Sequence, residues 1–166
     1  MATIASAALD SRNSILRSIV FGGMFIFIIQ LIHSWIVPSL IQKTPFIVVL
    51  QYIASGALGM AAFEGGIATA LLGVFFHLII SFVIASVFIL SADRIPILRR
   101  YAIAGSLLYG FGVFIVMNLI VIPLSATPPV PAPTMPWLIE AIIEHVLAIG
   151  LPLGILVRRN ANIKIV

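Results

Sequence analysis

Four long apolar runs constrain this chain more than any other feature of its sequence. A helix needs about 20 apolar residues to cross roughly 30 Å of membrane hydrocarbon. We therefore predict transmembrane helices over about residues 15–37, 66–92, 101–124 and 137–157. Hydrophobic residues make up 62% of the 166 positions and charged residues 8%, which leaves no length for a soluble domain. The sequence predicts an all-α membrane protein with a single integral membrane domain over residues 1–166.

A fifth apolar stretch, about residues 45–63, is nearly long enough to cross the membrane as well. The basic residues argue against a crossing, because short cytoplasmic segments are enriched in lysine and arginine. With four crossings, the arginines before the first helix, between the second and third, and after the fourth all face the cytoplasm, and only Lys43 faces outward. We predict that residues 45–63 form an interfacial or re-entrant outer helix and that both chain termini are cytoplasmic.

Prolines indicate where the helices end or loosen. Pro38 is expected to end the first helix, because proline lacks a donor and clashes with the preceding turn. Pro152 should loosen the last turns of the fourth helix by leaving the carbonyl of Ala148 without its partner.

The composition also narrows the function classes. Cysteine is absent, which excludes disulfides, thiolate metal sites and thiol catalysis. The net charge of +4 comes from short segments between apolar runs, so nucleic-acid binding is not expected. No zinc-protease motif, serine elbow or intramembrane aspartate pair is present, and we predict that the protein is not an enzyme. The expected partners are the lipid bilayer and either a larger membrane complex or a second copy of the chain.

Polar residues inside the predicted helices are the candidates for function. An ionisable side chain at mid-helix costs about 2.5 to 3.5 kcal/mol, so such residues are functional candidates by default. Glu144 is expected to hold a proton or to share one with His77, while His33, one turn from a helix end, has no predicted partner. The alternative is helix packing or, for Glu140, a solvated carboxylate at the membrane edge. The complete candidate cluster is His77, Glu144, His145, Glu140, Asn118, Tyr109 and Ser81.

Small residues predict where helices approach one another. On the second helix, Gly66, Gly73 and Ser81 belong to a stripe of small and polar residues at spacings of three to four, which permits close helix contact. The predicted helix-contact glycines are Gly66, Gly73, Gly105 and Gly112.

Several short motifs follow one another in a recognisable order. They are His77-Leu-Ile-Ile-Ser81-Phe, Tyr109-Gly110, Pro123-Leu124-Ser125 before a proline-rich loop, and Glu144-His145. Over about residues 66–154 the chain resembles the YagU-like group of small bacterial inner-membrane proteins. The resemblance implies a four-helix protein of the bacterial inner membrane with unassigned activity, and it assigns no catalytic residue. Asn118 departs from the group, in which a histidine is expected at this position.

Three functions remain open from the sequence. The first is a non-enzymatic accessory or structural subunit, which the small size, short loops and lack of an internal repeat favour. The second is a proton-linked or small-solute transport element that uses the Glu/His cluster. The third is a b-type haem site with His77 and His145 as ligands, and no other cofactor or metal is expected.

Overall fold

The structure is a computed structural model that describes residues 2–129 and 132–163 of the chain. Every regular element in these two ranges is helical. Helix α1 covers Ala2–Ser34 and continues as a π-helix over Trp35–Ile41. Helix α2 covers Phe46–Leu58 and is followed by a 3₁₀ segment, Gly59–Phe63.

The remaining helices follow with short connections. Helix α3 covers Gly66–Arg94, and the short helix α4 covers Pro96–Arg100. Helix α5 begins as Ala102–Val116, becomes a π-helix over Met117–Val121 and ends with the α-helical turn Ile122–Leu124. Helix α6 consists of Met135–Glu144, a π-helical segment His145–Gly150, and Leu151–Ile163.

Five helical stretches in the described part of the chain are long and apolar enough to cross a membrane. They are Arg12–Ile41, Phe46–Phe63, Gly66–Arg94, Ala102–Leu124 and Met135–Arg159. The protein is therefore an all-helical chain with the properties of a multi-pass membrane protein, which agrees with the predicted fold class. The distribution of basic residues predicted that residues 45–63 do not cross the membrane. By length and composition, however, this stretch meets the same criterion as the other four.

Helices α1 and α3 run antiparallel and in close contact. A Cβ placed on Gly22 would lie 3.5 Å from that of Ala85, and one placed on Gly23 would lie 2.9 Å from the ring of Phe82. The ring of Phe27 packs on that of His77, with centroids 5.7 Å apart. Residue numbers rise along α1 as they fall along α3, so Ile41 and Gly66 lie at the same end of the molecule.

Helix α6 runs antiparallel to both α5 and α1. A Cβ on Gly110 would lie 2.6 Å from the carbonyl oxygen of His145, and one on Gly150 would lie 2.5 Å from that of Ser106. On the other side of α6, Leu153 approaches the Cβ position of Gly22. Helices α1, α3, α5 and α6 thus alternate in direction around a buried core that includes Ile26, Phe88, Ile149 and Leu153.

Both termini of helix α2 lie on the same side of this assembly, which we call the α2 end. Helix α4 lies on the opposite side, which we call the α4 end. Helix α2 crosses the first two turns of α3, where a Cβ on Gly73 would overlap the carbonyl oxygen of Leu50. Gln51 donates from Nε2 to the carbonyl of Gly66 at 3.0 Å. On its other side, the backbone N–H of Ala126 donates to the carbonyl of Gly56 at 2.9 Å. Contacts to two neighbours hold α2 over this end.

The structure corrects the predicted end of the first helix. The chain continues through Pro38 to Ile41 as a π-helix, whose wider turn keeps the proline ring away from the carbonyl that an α-helix would place against it. The π-helical segments of α5 and α6 likewise come directly before Pro123 and Pro152. The helices that contain Pro38 and Pro152 continue beyond the proline, whereas α5 ends one residue after Pro123.

Candidate functional site

A cavity of about 360 Å³ lies between α1, α3, α5 and α6, and α2 covers it with Tyr52, Ile53 and Gly56. We call it the polar cavity. All three π-helical segments contribute to its wall. Its polar lining includes the ionisable residues His33, His77, Glu140, Glu144 and His145, together with Gln30, Ser34, Gln42, Tyr52, Ser125 and Thr127.

Glu144 and His145 form a hydrogen-bonded pair in the cavity wall. The Oε2 atom of Glu144 lies 2.7 Å from Nδ1 of His145, and the same nitrogen lies 2.8 Å from the carbonyl oxygen of Ala141. The Glu144 side chain is only 8% exposed. On a uniform α-helix, neighbouring side chains point about 100° apart. The change from α- to π-helix at His145 alters that relation and lets them meet.

His77 and Glu144 each present one unpaired polar atom to the polar cavity. Nε2 of His77 and Oε1 of Glu144 are buried and have no hydrogen-bond partner among the described residues. A buried polar atom without a partner costs about 1 to 3 kcal/mol, so such atoms are uncommon unless they have a further role. The two atoms can hold a proton or bind a hydrogen-bonding molecule inside the cavity.

His33 and Glu140 form a second pair, nearer the α2 end. Nε2 of His33 bonds to Oε1 of Glu140, and the two side chains are 29% and 35% exposed. Glu140 was expected to be a solvated carboxylate, and His33 had no predicted partner. Both residues lie about one turn from a predicted helix end. This matched depth is the sequence signal that could have paired them.

Three members of the predicted cluster lie outside the cavity wall. Each donates its side-chain hydrogen bond to a backbone carbonyl: Ser81 to His77 at 2.8 Å, Tyr109 to Ile84 at 2.8 Å, and Asn118 to Phe114 at 2.9 Å. The structure therefore brings together His77, Glu140, Glu144 and His145, and it adds His33.

The contact glycines differ from those we predicted. Gly73 lies against α2, but a Cβ on Gly112 or on Gly66 would meet nothing within 4 Å, and one on Gly105 would meet only the side chain of Leu98. Gly66 instead adopts φ +56°, a left-handed conformation that glycine takes without strain, at the turn into α3. The glycines between α5 and α6 are Gly110, Gly150 and Gly154.

The histidines of the haem alternative both line the polar cavity. Their rings pack on phenylalanines, His77 on Phe27 and His145 on Phe114, with centroids 5.7 and 5.6 Å apart. In the part of the chain that the structure describes, no three His, Cys, Asp or Glu side chains group as metal ligands. Haem binding stays a prediction, which a visible absorption spectrum of the purified protein would test.

No protein-family model, curated protein or solved structure matches this chain. The resemblance to the YagU-like group therefore stays a prediction, and the polar cavity is interpreted from its own geometry.

Proposed function

We propose that this chain is a multi-pass protein of the bacterial inner membrane that crosses the bilayer four times, with α2 as a re-entrant helix at the outer face. The antiparallel course of α1 and α3 supports this arrangement, because it brings the start and the end of α2 to one side of the membrane. The arginines support it too, because they lie toward the α4 end, as expected for a cytoplasmic face. They are Arg12, Arg17, Arg94, Arg99, Arg100, Arg158 and Arg159.

Within this arrangement, the protein is a proton-linked transport element and not an enzyme. The observation that carries the proposal is the pair of unpartnered buried atoms, Nε2 of His77 and Oε1 of Glu144, in one cavity. A carboxylate and an imidazole exchange protons readily near neutral pH. Intramembrane residues of these types commonly mark proton relays.

The polar groups form a series that leads inward from the α2 end. His33 bonds to Glu140, Glu140 lies one helical turn from Glu144, and Glu144 shares the polar cavity with His77. Beyond the cavity toward the α4 end, the core is mainly apolar and includes Phe88 and Leu153, while the buried hydroxyls of Ser18 and Ser106 are bonded to backbone carbonyls of their own helices. The arrangement is open to protons from the outer side and closed toward the inner side. A transport cycle requires a second conformation in which this apolar core opens.

The test is the decay of a pH gradient across vesicles that contain the purified protein. The wild type should dissipate the gradient faster than Glu144→Gln or His77→Ala, because each substitution removes one of the two unpartnered groups. Asn118→Ala is the matched control: it also removes an intramembrane polar group, but one outside the cavity, and it should behave as the wild type does.

Equal rates for all of these vesicles and for empty ones would contradict the transport proposal. The accessory or structural role would then remain. A membrane protein that copurifies at a fixed ratio would support that role.

A further inference from the structure

An apolar groove of about 770 Å³ runs between α1 and α6 on the outer half of the molecule. We call it the α1–α6 groove. Its edges include Ile32, Ile143 and Leu147, which are 44%, 51% and 51% exposed and so face the lipid in a membrane. Toward the α4 end the same two helices are in direct contact, because Cδ2 of Leu153 lies 3.0 Å from the Cβ position of Gly22. The groove therefore opens sideways into the bilayer.

The α1–α6 groove and the polar cavity share part of their walls. Four residues line both: His33, Val37, Glu140 and Glu144. The bond between His33 and Glu140 joins the two helices where groove and cavity meet. Glu144 already lines the groove, and opening this one pair would join the lipid-facing groove to the rest of the polar cavity.

The acidic groups of the shared site favour a cation. Glu140 and Glu144 line both spaces, each beside a histidine that is a cation only when protonated, and no lysine or arginine lines either space in the described part of the chain. A buried carboxylate is stabilised by a cation that pairs with it. Tyr52 and Trp137 also line the cavity, and aromatic faces attract organic cations with about 0.5 to 2 kcal/mol each.

We infer that the polar cavity binds a lipophilic organic cation, such as a long-chain amine or alkylammonium, which enters from the bilayer through the α1–α6 groove. Its charged group pairs with Glu144 and its apolar chain lies along the groove. This inference rests on the proposed proton-linked transport and names the substrate class of that site.

Exchange with a proton follows from the chemistry of Glu144. When the cation binds, the O–H bond of the protonated carboxyl breaks, the proton leaves to water, and the carboxylate pairs with the ammonium group. The titratable groups that share the cavity with Glu144 are His33 from α1, Tyr52 from α2, His77 from α3, and Glu140 and His145 from α6. Helix α5 contributes apolar side chains to this wall, among them Val113 and Met117.

Trp137 provides a direct readout of binding. The chain has two tryptophans, so Trp35→Phe leaves Trp137 at the cavity as the single reporter. In lipid nanodiscs, dodecyltrimethylammonium should change the fluorescence of Trp137 saturably. Tetramethylammonium, which has no chain to fill the groove, should bind far more weakly, and dodecyl sulfate, which has the opposite charge, should give no saturable change.

Two variants of the Trp35→Phe protein measure separately how the Glu144 carboxyl and the groove contribute to cation binding. Glu144→Gln should weaken binding by about 30-fold or more, the loss typical when one partner of a buried charge pair is removed. The double variant Ile143→Phe/Leu147→Phe narrows the groove at exposed positions, which tolerate larger side chains. It should weaken dodecyltrimethylammonium binding and leave the weak binding of tetramethylammonium unchanged.

The outcomes distinguish this inference from the proposed function. Saturable binding of dodecyl sulfate, or unchanged binding of the cation to Glu144→Gln, would overturn the inference. Proton movement in vesicles without any cation binding would also overturn it and leave the transport proposal intact. Cation binding that depends on Glu144, without proton movement, would support the binding site and overturn proton-linked transport.

Discussion

His33 of α1 and Glu140 of α6 form a side-chain hydrogen bond that joins the first and the last long helix of the described chain. The pair lies one turn from Glu144 along α6, and both residues line the α1–α6 groove as well as the polar cavity. A contact between two helices is therefore also part of the wall of the site.

The strength of this pair can be measured by a double-mutant cycle. His33→Leu, Glu140→Leu and the double variant should give a coupling energy of about 0.6 to 1.7 kcal/mol, the range found for polar contacts between membrane helices. The measurement is the free energy of unfolding of the wild type and of each variant in detergent micelles. The matched control is the Asp93–Arg99 pair, at 2.8 Å and similarly exposed. It lies between the predicted helices 66–92 and 101–124, where water and salt screen it, and should couple by about 0.5 kcal/mol or less. A coupling energy no larger than that of the control would show that the His33–Glu140 bond does not stabilise the contact between α1 and α6.

Gly110 and Gly112 provide a comparison of two glycines on one helix. Gly110→Ala should destabilise the protein by about 1 to 3 kcal/mol, because the added Cβ would lie 2.6 Å from the carbonyl oxygen of His145. Gly112→Ala should be neutral or stabilising by up to about 1 kcal/mol, because it meets nothing and favours the helix. Thermal unfolding in detergent measures both changes. If the two variants lost equal stability, the close approach of α5 and α6 at Gly110 would be wrong.

These two glycines also explain why the sequence predicted the helices better than their contacts. Charges and turn residues mark the ends of α3 and α5, so the predicted ranges 66–92 and 101–124 agree closely with Gly66–Arg94 and Ala102–Leu124. Inside a membrane, however, a helix is apolar on the side that faces lipid and on the side that faces the core. Hydrophobic periodicity therefore could not indicate that Gly110 faces α6 while Gly112 does not.

The predicted site was limited in a similar way. The cost of burial identified His77, Glu140, Glu144 and His145, because ionisable groups are rare inside membrane helices. The cost of burial could not exclude Ser81, Tyr109 and Asn118. Each of these side chains donates a hydrogen bond to a backbone carbonyl of its own helix or of a neighbouring helix, so it is paired without belonging to the site. The partner of His33 also depends on the α1–α6 packing. The matched depth of His33 and Glu140 is compatible with their pairing, but no local pattern specifies that α6 lies beside α1.

Tyr109→Phe tests whether the Tyr109 hydroxyl stabilises the fold without taking part in proton movement. The hydroxyl donates to the carbonyl of Ile84 on α3, and Tyr109 does not itself line the polar cavity, so loss of the hydroxyl should destabilise the protein by about 0.6 kcal/mol. The decay of a pH gradient in vesicles should be unchanged. A slower decay at full protein content would place Tyr109 in the proton path and contradict the boundary of the site.

Gly73→Ala should release α2 from α3. The added Cβ would overlap the carbonyl oxygen of Leu50, so α2 has to move. Since the chain has no cysteine, a single Ser55→Cys reports on the position of α2 at a site that is fully buried in the wild type. The thiol should react slowly with N-ethylmaleimide in the wild-type background and faster with Gly73→Ala. The matched control, Gly112→Ala, should leave the slow reaction unchanged, and equal reactivity in all three would contradict the contact.

Single cysteines also test the proposed topology. Cysteines in place of Lys43, Glu64 and Ala132, all exposed, should react with an impermeant thiol reagent added to intact cells. A cysteine in place of Ile95, at the α4 end, should be shielded until the membrane is opened. Opposite sidedness of Lys43 and Glu64 would show that α2 crosses the membrane completely.

The π-helical segments make the cavity depend on the length of the chain as well as on its side chains. A π-helical turn contains one more residue than the α-helical turn it replaces, so removing one residue such as Val146 from His145–Gly150 would restore a uniform α-helix and leave its two halves in about the same relative orientation. Gly150 and Gly154 would still lie against α5 and Glu144 would still face the cavity, but the wider turn at His145 would be gone. A single-residue deletion that keeps every ionisable group would thus separate the side chains of Glu144 and His145, whereas many substitutions in the same segment would keep them together.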